Sequence, residues 1–362
     1  MQKKAVRYLS GARVPKWEWS YAGTVGTGES ELCDVVALGA DEAWAVGNQE
    51  SYRRPLAVRW DGVRWQSHPV PGAGSLQQVA ASAGDDVWAV SWNVGDDSLV
   101  HWDGRGWSDS PLAPVAGELD LHDVLSFAPD DAWVAGGAST VIPGGHGWVP
   151  VLQHWDGTRW SPATLPVLGS ASGLLFGLGG RTADDVWAIG TTGLAALTEG
   201  RPGYLRFDGT DWRFVPQLDA CRVLAESAVP LGRDVVFAGR RSGQAGWEPD
   251  GHPVLVRWNG EECHEIAAPP IDGIAIYDVT TDGAGGLWMT CQQQHGDASF
   301  WRWRAGVWEL VAADPRLDRR SPRVQRLANV PGTADMWGVG HTMEARSAGL
   351  LVRYRETGSG QR

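Results

Sequence analysis

Short apolar runs separated by polar turns recur along the whole chain, at strand length rather than helix length. The clearest unit is 99–107, in which an apolar run ends in Trp-Asp-Gly and a second Trp follows two residues later. Two apolar runs joined by Asp-Gly or Asn-Gly predict a β-hairpin, because glycine readily adopts the positive φ angle of the turn. The flanking Trp side chains can pair across the strands and bury a large area. Related hairpins lie at 58–65, 152–160, 205–212, 256–263 and 301–308.

A second pattern, Asp85-Asp-Val-Trp-Ala-Val in its clearest form, precedes each hairpin, and a further apolar segment precedes that. Each repeat therefore predicts four short strands, which we term a, b, c and d in chain order. The strand b copies recur every 44 to 54 residues, anchored on Trp44, Trp88, Trp133, Trp187, Val236, Trp288 and Trp337. Seven copies at this period are typical of a propeller or a solenoid.

The two ends of the chain favour a closed ring over an open solenoid. The seventh repeat supplies only three strands, the last at 350–354, and the fourth is missing. A matching strand lies at 15–21, where Trp19-Ser20 repeats the Trp107-Ser108 of a strand d. Pairing of these segments would leave no sheet edge open. We therefore expect an all-β fold, a seven-bladed β-propeller of four-stranded antiparallel blades whose last blade is closed by the N-terminal strand.

A repeat that runs from end to end predicts one domain over residues 1–362. The expected blades are 32–70, 76–114, 120–166, 174–217, 223–268, 275–311 and 323–355 together with 15–21.

These motifs resemble the propeller repeats of large bacterial proteins and, more distantly, Kelch, tectonin and quinoprotein-type blades. The resemblance covers nearly the whole chain and implies blade packing without an activity. The Gly-Gly pair of a Kelch repeat is missing from the pattern, and Asp and Gly are adjacent, unlike the Asp-x-Gly of a sialidase Asp-box. The segment 282–290 is similar to the repeats of streptogramin-type lyases, which are seven-bladed propellers.

Charge and cysteine usage narrow the partners and the compartment. The net charge is −12, and the sequence contains no basic stripe. Both features disfavour nucleic acid and an anionic membrane surface as partners. The N-terminus lacks the apolar core of a signal peptide, and no run of eighteen apolar residues occurs. The four cysteines show no Cys-x-x-Cys spacing, which favours a reducing cytoplasm over a disulfide framework. We expect a cytoplasmic monomer.

Most Trp residues, and the cationic residues of strand c, are expected to have a structural role in blade packing. The position before the strand c aromatic is cationic in every repeat, which predicts side chains stacked or ion-paired between blades. These residues are Arg59, His101, His154, Arg206, Arg257, Arg302 and Arg353.

A first candidate site lies on the b-to-c connections, where long loops carry Trp and His residues that a hairpin repeat does not need. Loops on a rigid scaffold commonly carry function. The alternative is that these side chains are solvated or fold over the blade ends. The residues are Trp92, Trp148, Trp247, His146, His252, His295 and His341.

A second candidate site lies at the start of the strands a, nearest the axis. The aligned residues are Asp34, Gln78, Asp123, Gly177, Glu226, Asp278 and Arg326, with Cys33, Gln77, His122 and Tyr277 beside them. Four crowded carboxylates raise one another's pKa and suit a cationic ligand, a divalent metal or acid–base chemistry. Alternatively, each Asp caps its own turn by accepting backbone N–H bonds.

Two hypotheses of function follow. The first is a binding propeller whose loop-rich face takes a peptide, a protein or a small polar ligand, through the loop Trp and His residues and Arg326. The second is a lyase, cyclase or hydrolase acting on a peptide or natural product at the channel mouth. Its catalytic residues would come from His122, Asp123, Asp34, Glu226, Asp278 and Tyr277, with His122 and Asp123 as the acid–base pair and a divalent metal as the possible cofactor.

Overall fold

The computed structural model describes residues 19–356 except for 73, 94–96, 143–144, 167–172, 193–200, 242–253, 270–272, 294–297, 319, 321 and 345. Within these residues the strands form seven four-stranded sheets, which are the blades of a propeller. The predicted seven-bladed fold is confirmed. None of the helices described is long and apolar enough to cross a membrane.

The strands follow the a-to-d order expected from the repeat. The N-terminal strand is β1 (Trp19–Val25). Blade 1 contains β2 (Glu31–Gly39), β3 (Glu42–Gln49), β4 (Arg54–Trp60) and β5 (Trp65–His68). Blade 2 contains β6 (Ser75–Ala83), β7 (Asp86–Trp92), β8 (Ser98–Trp102) and β9 (Trp107–Asp109). Blade 3 contains β10 (Glu118–Ala128), β11 (Asp131–Ile142), β12 (Gly145–Trp155) and β13 (Trp160–Pro162).

Blade 4 contains β14 (Gly173–Thr182), β15 (Asp185–Thr192), β16 (Arg201–Phe207) and β17 (Trp212–Phe214). A 3-10 helix, Pro216–Cys221, leads to blade 5, with β18 (Val223–Leu231), β19 (Asp234–Arg241), β20 (Val254–Trp258) and β21 (Cys263–Ile266). Blade 6 contains β22 (Gly273–Thr281), β23 (Leu287–Gln293), β24 (Ala298–Arg304) and β25 (Val307–Val311). A short helix α1 (Pro315–Asp318) precedes blade 7, with β26 (Pro322–Asn329), β27 (Met336–Thr342) and β28 (Gly349–Tyr354).

The ring closes through the N-terminal strand, as the sequence predicted. Strand β1 pairs antiparallel with β28, with Trp19 opposite Tyr354, and so completes blade 7. Each strand a contacts the strand a of the next blade, and β2 of blade 1 also contacts β26 and β27 of blade 7. The strands a therefore line a central channel.

Aromatic side chains hold neighbouring blades together. The ring of Trp44 on strand b of blade 1 lies 5.1 Å from that of Trp102 and 5.5 Å from that of Trp107, the strand c and d residues of blade 2. The residues at these three positions contact one another in the same way at four other junctions. They are Trp88 with Trp155 and Trp160, Trp133 with Phe207 and Trp212, Trp288 with Tyr354 and Trp19, and Trp337 with Trp60 and Trp65. Such edge-to-face and tilted pairs are the preferred aromatic geometry.

The strand c cations are stacked and ion-paired as expected, but the contacts of His101 and Arg206 lie within their own blade and not between blades. His101 stacks on Trp88 with ring centroids 3.9 Å apart, and its Nε2 lies 2.7 Å from Asp86 Oδ1. Arg206 lies over Trp187 and donates to Asp185 at 2.9 Å. In these two blades the cation therefore bridges a strand b ring and an acidic residue at the start of the same strand, whereas Arg302 of blade 6 pairs with Glu309 and Glu356 instead.

The cysteines correct the sequence-based expectation, because Cys221 and Cys263 form a disulfide. Cys263 occupies the strand d position that is Trp in most blades, and it packs in one cluster with Trp187 and Trp258. The disulfide fastens the 3-10 helix to the outer strand of blade 5. Cys33 and Cys291 are buried free thiols. The spacing argument failed because the two cysteines are 42 residues apart in the sequence and come together only when strand β21 folds back beside the 3-10 helix.

A bulge in every strand a explains the glycine that ends most strand b motifs. At Gly190, an added Cβ would lie 2.0 Å from the carbonyl oxygen of Leu174 on the bulged strand, far inside van der Waals contact. Equivalent clashes within 2.1 Å occur at Gly47, Gly136, Gly239 and Gly340. The residue is glycine there because two backbones approach closely.

Replacing Trp19 by Ala should lower the free energy of unfolding by roughly 3–5 kcal/mol, the usual cost of removing a buried Trp. Trp19 is 0 % exposed and stacks on Phe300 with centroids 4.2 Å apart, in the strand that closes the ring. Chemical denaturation measures the change, with Trp92→Ala as the control because Trp92 is 44 % exposed. A Trp19 variant as stable as this control would contradict the closure of the ring by β1.

Gly190→Ala should lower the free energy of unfolding by roughly 1–3 kcal/mol, because the added methyl group forces two strands apart. Gly106→Ala is the matched control, since its Cβ would meet nothing within 4 Å. Thermal unfolding of both variants tests the close approach, and equal melting temperatures would refute it.

Candidate functional site

The bulges set which residues face one another in the channel. One register shift occurs at an equivalent point of every strand a, for example between Leu32 and Asp34 in β2 and between Ala225 and Ser227 in β18. The residues that follow the bulge are Asp34, Gln78, Asp123, Gly177, Ser227, Asp278 and Arg326. Glu226 was wrongly aligned with this ring, because it is itself the bulged residue of its strand. Its side chain is 65 % exposed and lies 3.8 Å from Arg240.

The three Asp residues of the ring tie neighbouring blades together. Asp34 Oδ1 accepts from the N–H of Val35 at 2.8 Å, and its Oδ2 accepts from the N–H of Val79 in blade 2 at 2.8 Å. Asp123 links blades 3 and 4 in the same way, through the N–H groups of Val124 and Leu178. Asp278 links blades 6 and 7 through the N–H groups of Val279 and Leu327. The capping alternative is therefore the observed one, extended from one blade to the next.

The electrostatics of the channel differ from the expected ring of four acids. The guanidinium of Arg326 interacts with Asp278, Asp34 and Asp123 and donates to the carbonyl oxygens of Tyr277 at 2.9 Å and Gln325 at 3.1 Å. Burial raises the pKa of Asp34 to about 7 and that of Asp123 to about 6, whereas Arg326 lowers both. Burial likewise raises the pKa of Asp278. Desolvation, and not mutual repulsion, is the main cause.

The channel carboxylates are not arranged as a metal site. Among the described residues no group of three or more His, Cys, Asp or Glu side chains could hold a metal ion. Both oxygens of Asp34 and of Asp123 already accept backbone N–H groups. The expectation of a divalent metal at this mouth therefore has no ligand set in the described part of the chain.

His122 does not pair with Asp123, which corrects the proposed acid–base pair. His122 is the bulged residue of β10, and its Nε2 lies 3.4 Å from Asp120 Oδ2. The nearby imidazole of His122 lowers the pKa of Asp120. Tyr277 is the bulged residue of β22, and burial raises the pKa of its hydroxyl.

His341 belongs to a buried cluster between blades 7 and 1 that the sequence did not reveal. Its Nδ1 lies 3.0 Å from Glu31 Oε1, Gln325 Nε2 donates to the same oxygen at 2.6 Å, and the Tyr52 hydroxyl donates to Glu31 Oε2 at 2.8 Å. Burial alone would raise the pKa of Glu31, but these hydrogen bonds lower it to about 2. The only sequence signal was polar residues at the start of two strands a, which the repeat alignment gave no reason to connect. His341 is 8 % exposed, so it joins blades and does not present a loop ligand.

The loop residues separate into exposed and packed ones. Trp92 ends β7 and is 44 % exposed, and His146 is exposed near the tip of the long β11–β12 hairpin. Trp148 on the same hairpin is half-buried and packs beside Gly137. Trp247, His252 and His295 lie outside the described residues.

Exposed apolar side chains follow the b-to-c connections of four consecutive blades, and we call this set the apolar crescent. Its members are Met343 of blade 7, Tyr52 of blade 1, Trp92 of blade 2 and Val141 of blade 3, which are 49 %, 52 %, 44 % and 74 % exposed. Tyr52 is held outward by a turn in which Glu50, Ser51 and Tyr52 all have positive φ, between 55° and 65°. The Ser51 hydroxyl donates to Glu29 at 2.8 Å and supports this turn.

Comparison with known proteins supports the fold and no family. No protein-family model and no curated protein matches the sequence. Among solved structures, "YCF48 bound to D1 peptide" is similar over 95 % of this chain and 98 % of that one, with a TM-score of 0.60 and 13 % identity. YCF48 from Cyanidioschyzon merolae matches over 93 % and 99 %, with a TM-score of 0.57 and 16 % identity. The GH74 xyloglucanase from Xanthomonas campestris matches over 92 % of this chain and 55 % of its own, with a TM-score of 0.59 and 13 % identity.

Asp34 should titrate near pH 7 in the folded protein, and Arg326→Met should move its pKa higher, because the nearest cation is removed. A raised carboxyl pKa makes the fold lose stability as pH rises from about 4, where the unfolded group ionises, to about 7. Carboxyl-carbon NMR titration measures the pKa directly. A midpoint near 4 in both proteins would show that the hydrogen bonds to Asp34 outweigh its burial.

Proposed function

We propose that this chain is a peptide- or protein-binding propeller and that the apolar crescent is the surface that receives the partner. The observation that carries the proposal is the recurrence of an exposed apolar side chain at the b-to-c connection of four consecutive blades, 7, 1, 2 and 3. Exposed apolar residues scattered singly on a surface need no explanation, whereas a series of them on one rim is typical of an interaction site.

The scaffold beneath the crescent favours binding without large rearrangement. Trp92 emerges from the end of a strand whose other residues are buried, and Tyr52 is oriented by its hydrogen bond to the partly buried Glu31. Large aromatic side chains on rigid supports lose little conformational entropy on binding, and Trp and Tyr commonly dominate interface energies. Trp92 is the anchor that we assign first.

A peptide as partner is consistent with the structure of YCF48, a similar propeller that was determined with a D1 peptide.

The enzyme hypothesis has weaker support here, because Asp34, Asp123 and Asp278 accept backbone N–H groups and His122 lies beside Asp120. The cytoplasmic location expected from the sequence is not carried into the proposal, since the disulfide between Cys221 and Cys263 is typical of oxidising compartments. A monomer is sufficient for the proposed binding.

The proposal predicts that a random-peptide display library enriches ligands on the immobilised protein and that Trp92→Ala weakens their binding. The expected loss is about 2 kcal/mol, the usual threshold of an interface hot spot, because the indole is the largest exposed member of the crescent. Isothermal titration of the selected peptides measures it.

Val307→Ser is the matched control, because Val307 is 67 % exposed but lies at the start of the outer strand β25, away from the crescent. Peptide affinities should be unchanged in this variant. Failure to enrich any peptide, or equal affinities for the wild type and the Trp92 variant, would remove the crescent as the binding surface.

A further inference from the structure

A cleft of about 480 Å³ opens at the outer rim of the ring between blades 7 and 1. Its wall on blade 7 is formed by β1 and β28, and the opposite wall is the β4–β5 hairpin of blade 1. We call it the rim cleft. It is separate from the channel and from the apolar crescent, because its lining comes from outer strands and the c-to-d turn of blade 1.

The rim cleft exists because the closing strand carries small side chains where it passes blade 1. Ser20, Ala22 and Gly23 line the cavity, and β1 is bulged between Tyr21 and Gly23. The aromatic junction is consequently less covered here than at the junction of blades 1 and 2. Trp60 and Trp65 are only partly buried, whereas the corresponding Trp102 and Trp107 of blade 2 are 5 % and 7 % exposed.

Three arginines line this cavity in a protein whose net charge is −12. Arg353 has a side chain 10 % exposed and stacks on Trp337 at 4.7 Å. One of its terminal nitrogens lies 3.3 Å from Asp335, but its buried Nε has no partner. Arg64 is 74 % exposed and lies 3.9 Å from Asp61. Arg355 is exposed and forms no ion pair within the described residues.

The equivalent strand c cation of blade 6, Arg302, also has a buried Nε without a partner, but its charge is better compensated by carboxylates. Arg302 lies 2.9 Å from Glu309 and 3.6 Å from Glu356, and the hydrogen bond that Arg302 donates to Glu309 helps to raise the pKa of Arg302 despite burial. Burial and the charge of Arg355 instead lower the pKa of Arg353. The positive charge in the rim cleft is therefore incompletely compensated by the protein.

We propose that the rim cleft binds a carboxylate carried on an aromatic or aliphatic body, with the charge between Arg64, Arg353 and Arg355 and the body against Trp60 and Trp65. Guanidinium groups bind carboxylates through paired N–H donors, and indole walls receive apolar groups. The volume lies in the range of small-molecule sites. Asp61 and Asp335 lie close to Arg64 and Arg353 and partly neutralise them. A ligand with a single negative charge is therefore favoured over a dianionic phosphate.

Isothermal titration at low salt with phenylacetate and its neutral analogue phenylacetamide tests the assignment. Phenylacetate should bind and phenylacetamide should bind at least about tenfold more weakly, because only the acid can pair with the arginines. The variant Arg64→Ala with Arg355→Ala should lose at least about tenfold in affinity for phenylacetate. Both side chains are exposed, so the fold should be kept, and unchanged thermal unfolding verifies this.

Arg159→Ala is the matched control, because Arg159 occupies the same turn position in blade 3 and lies 3.9 Å from Asp156, as Arg64 does from Asp61. This variant and Trp92→Ala should bind phenylacetate as the wild type does, which separates the rim cleft from the apolar crescent. Equal binding of acid and amide, no binding of the acid, or full binding by the double arginine variant would overturn the proposal.

Two further ligands identify the source of the carboxylate. Tighter binding of the tripeptide Gly-Gly-Phe than of phenylacetate assigns the site to a peptide C-terminus, whereas equal or weaker binding assigns it to a free small acid. Phenyl phosphate bound more tightly than phenylacetate would overturn the choice of a carboxylate.

Discussion

The packing of one strand b indole against two aromatic residues of the next blade is the interaction on which the rest of the structure depends. A single four-stranded sheet cannot bury its own apolar face, so each blade is stable only against its neighbours. In the described part of the chain the aromatic triads supply that contact at five of the seven junctions, and a strand c cation packs against the strand b indole of each triad. Where blade 5 lacks the outer Trp, a disulfide takes its place and secures the outer strand by a covalent bond.

The inner strands of neighbouring blades are linked by hydrogen bonds and charge. Seven strands a converge on one axis, and a bulge in each of them turns a residue toward the channel. Asp34, Asp123 and Asp278 then accept N–H groups from the next strand, so charged side chains serve as backbone connectors in a buried place. Burying a carboxylate is unfavourable unless hydrogen bonds and a counter-charge compensate for the lost hydration. Arg326 provides that charge from the seventh blade, which explains why the ring is not uniformly acidic.

The repeat allowed the fold to be predicted from the sequence, since the Asp-Gly turns and Trp anchors specify strand, hairpin and blade, and the matching of Trp19 with Trp107 specified closure. The site could be predicted only in part. Glu226 was placed in the channel because alignment by residue type cannot detect a one-residue bulge. A shift of one residue moves each following side chain of the strand to the opposite face of the sheet. The Glu31 cluster joins two blades, and the Cys221–Cys263 bond joins a connecting helix to the outer strand of blade 5. A periodic pattern contains no information about either kind of pair. Trp92, by contrast, could be singled out in the sequence as off-pattern, and it is exposed in the structure.

The junction between blades 7 and 1 keeps its Trp triad and yet leaves a cleft at the outer rim. Blades 7 and 1 meet where the two ends of the described chain come together, so the closing strand is held by pairing with β28 and by its own side chains, without the hairpin that connects strands c and d elsewhere. Freed from that hairpin geometry, β1 tolerates a bulge and small residues, and a cleft remains between Trp60, Trp65 and Arg353. On the loop side of the same junction, Met343 and Tyr52 begin the exposed apolar series. A propeller gains binding surface where its repeat is imperfect, because a perfect repeat uses its apolar and charged groups to hold the blades together.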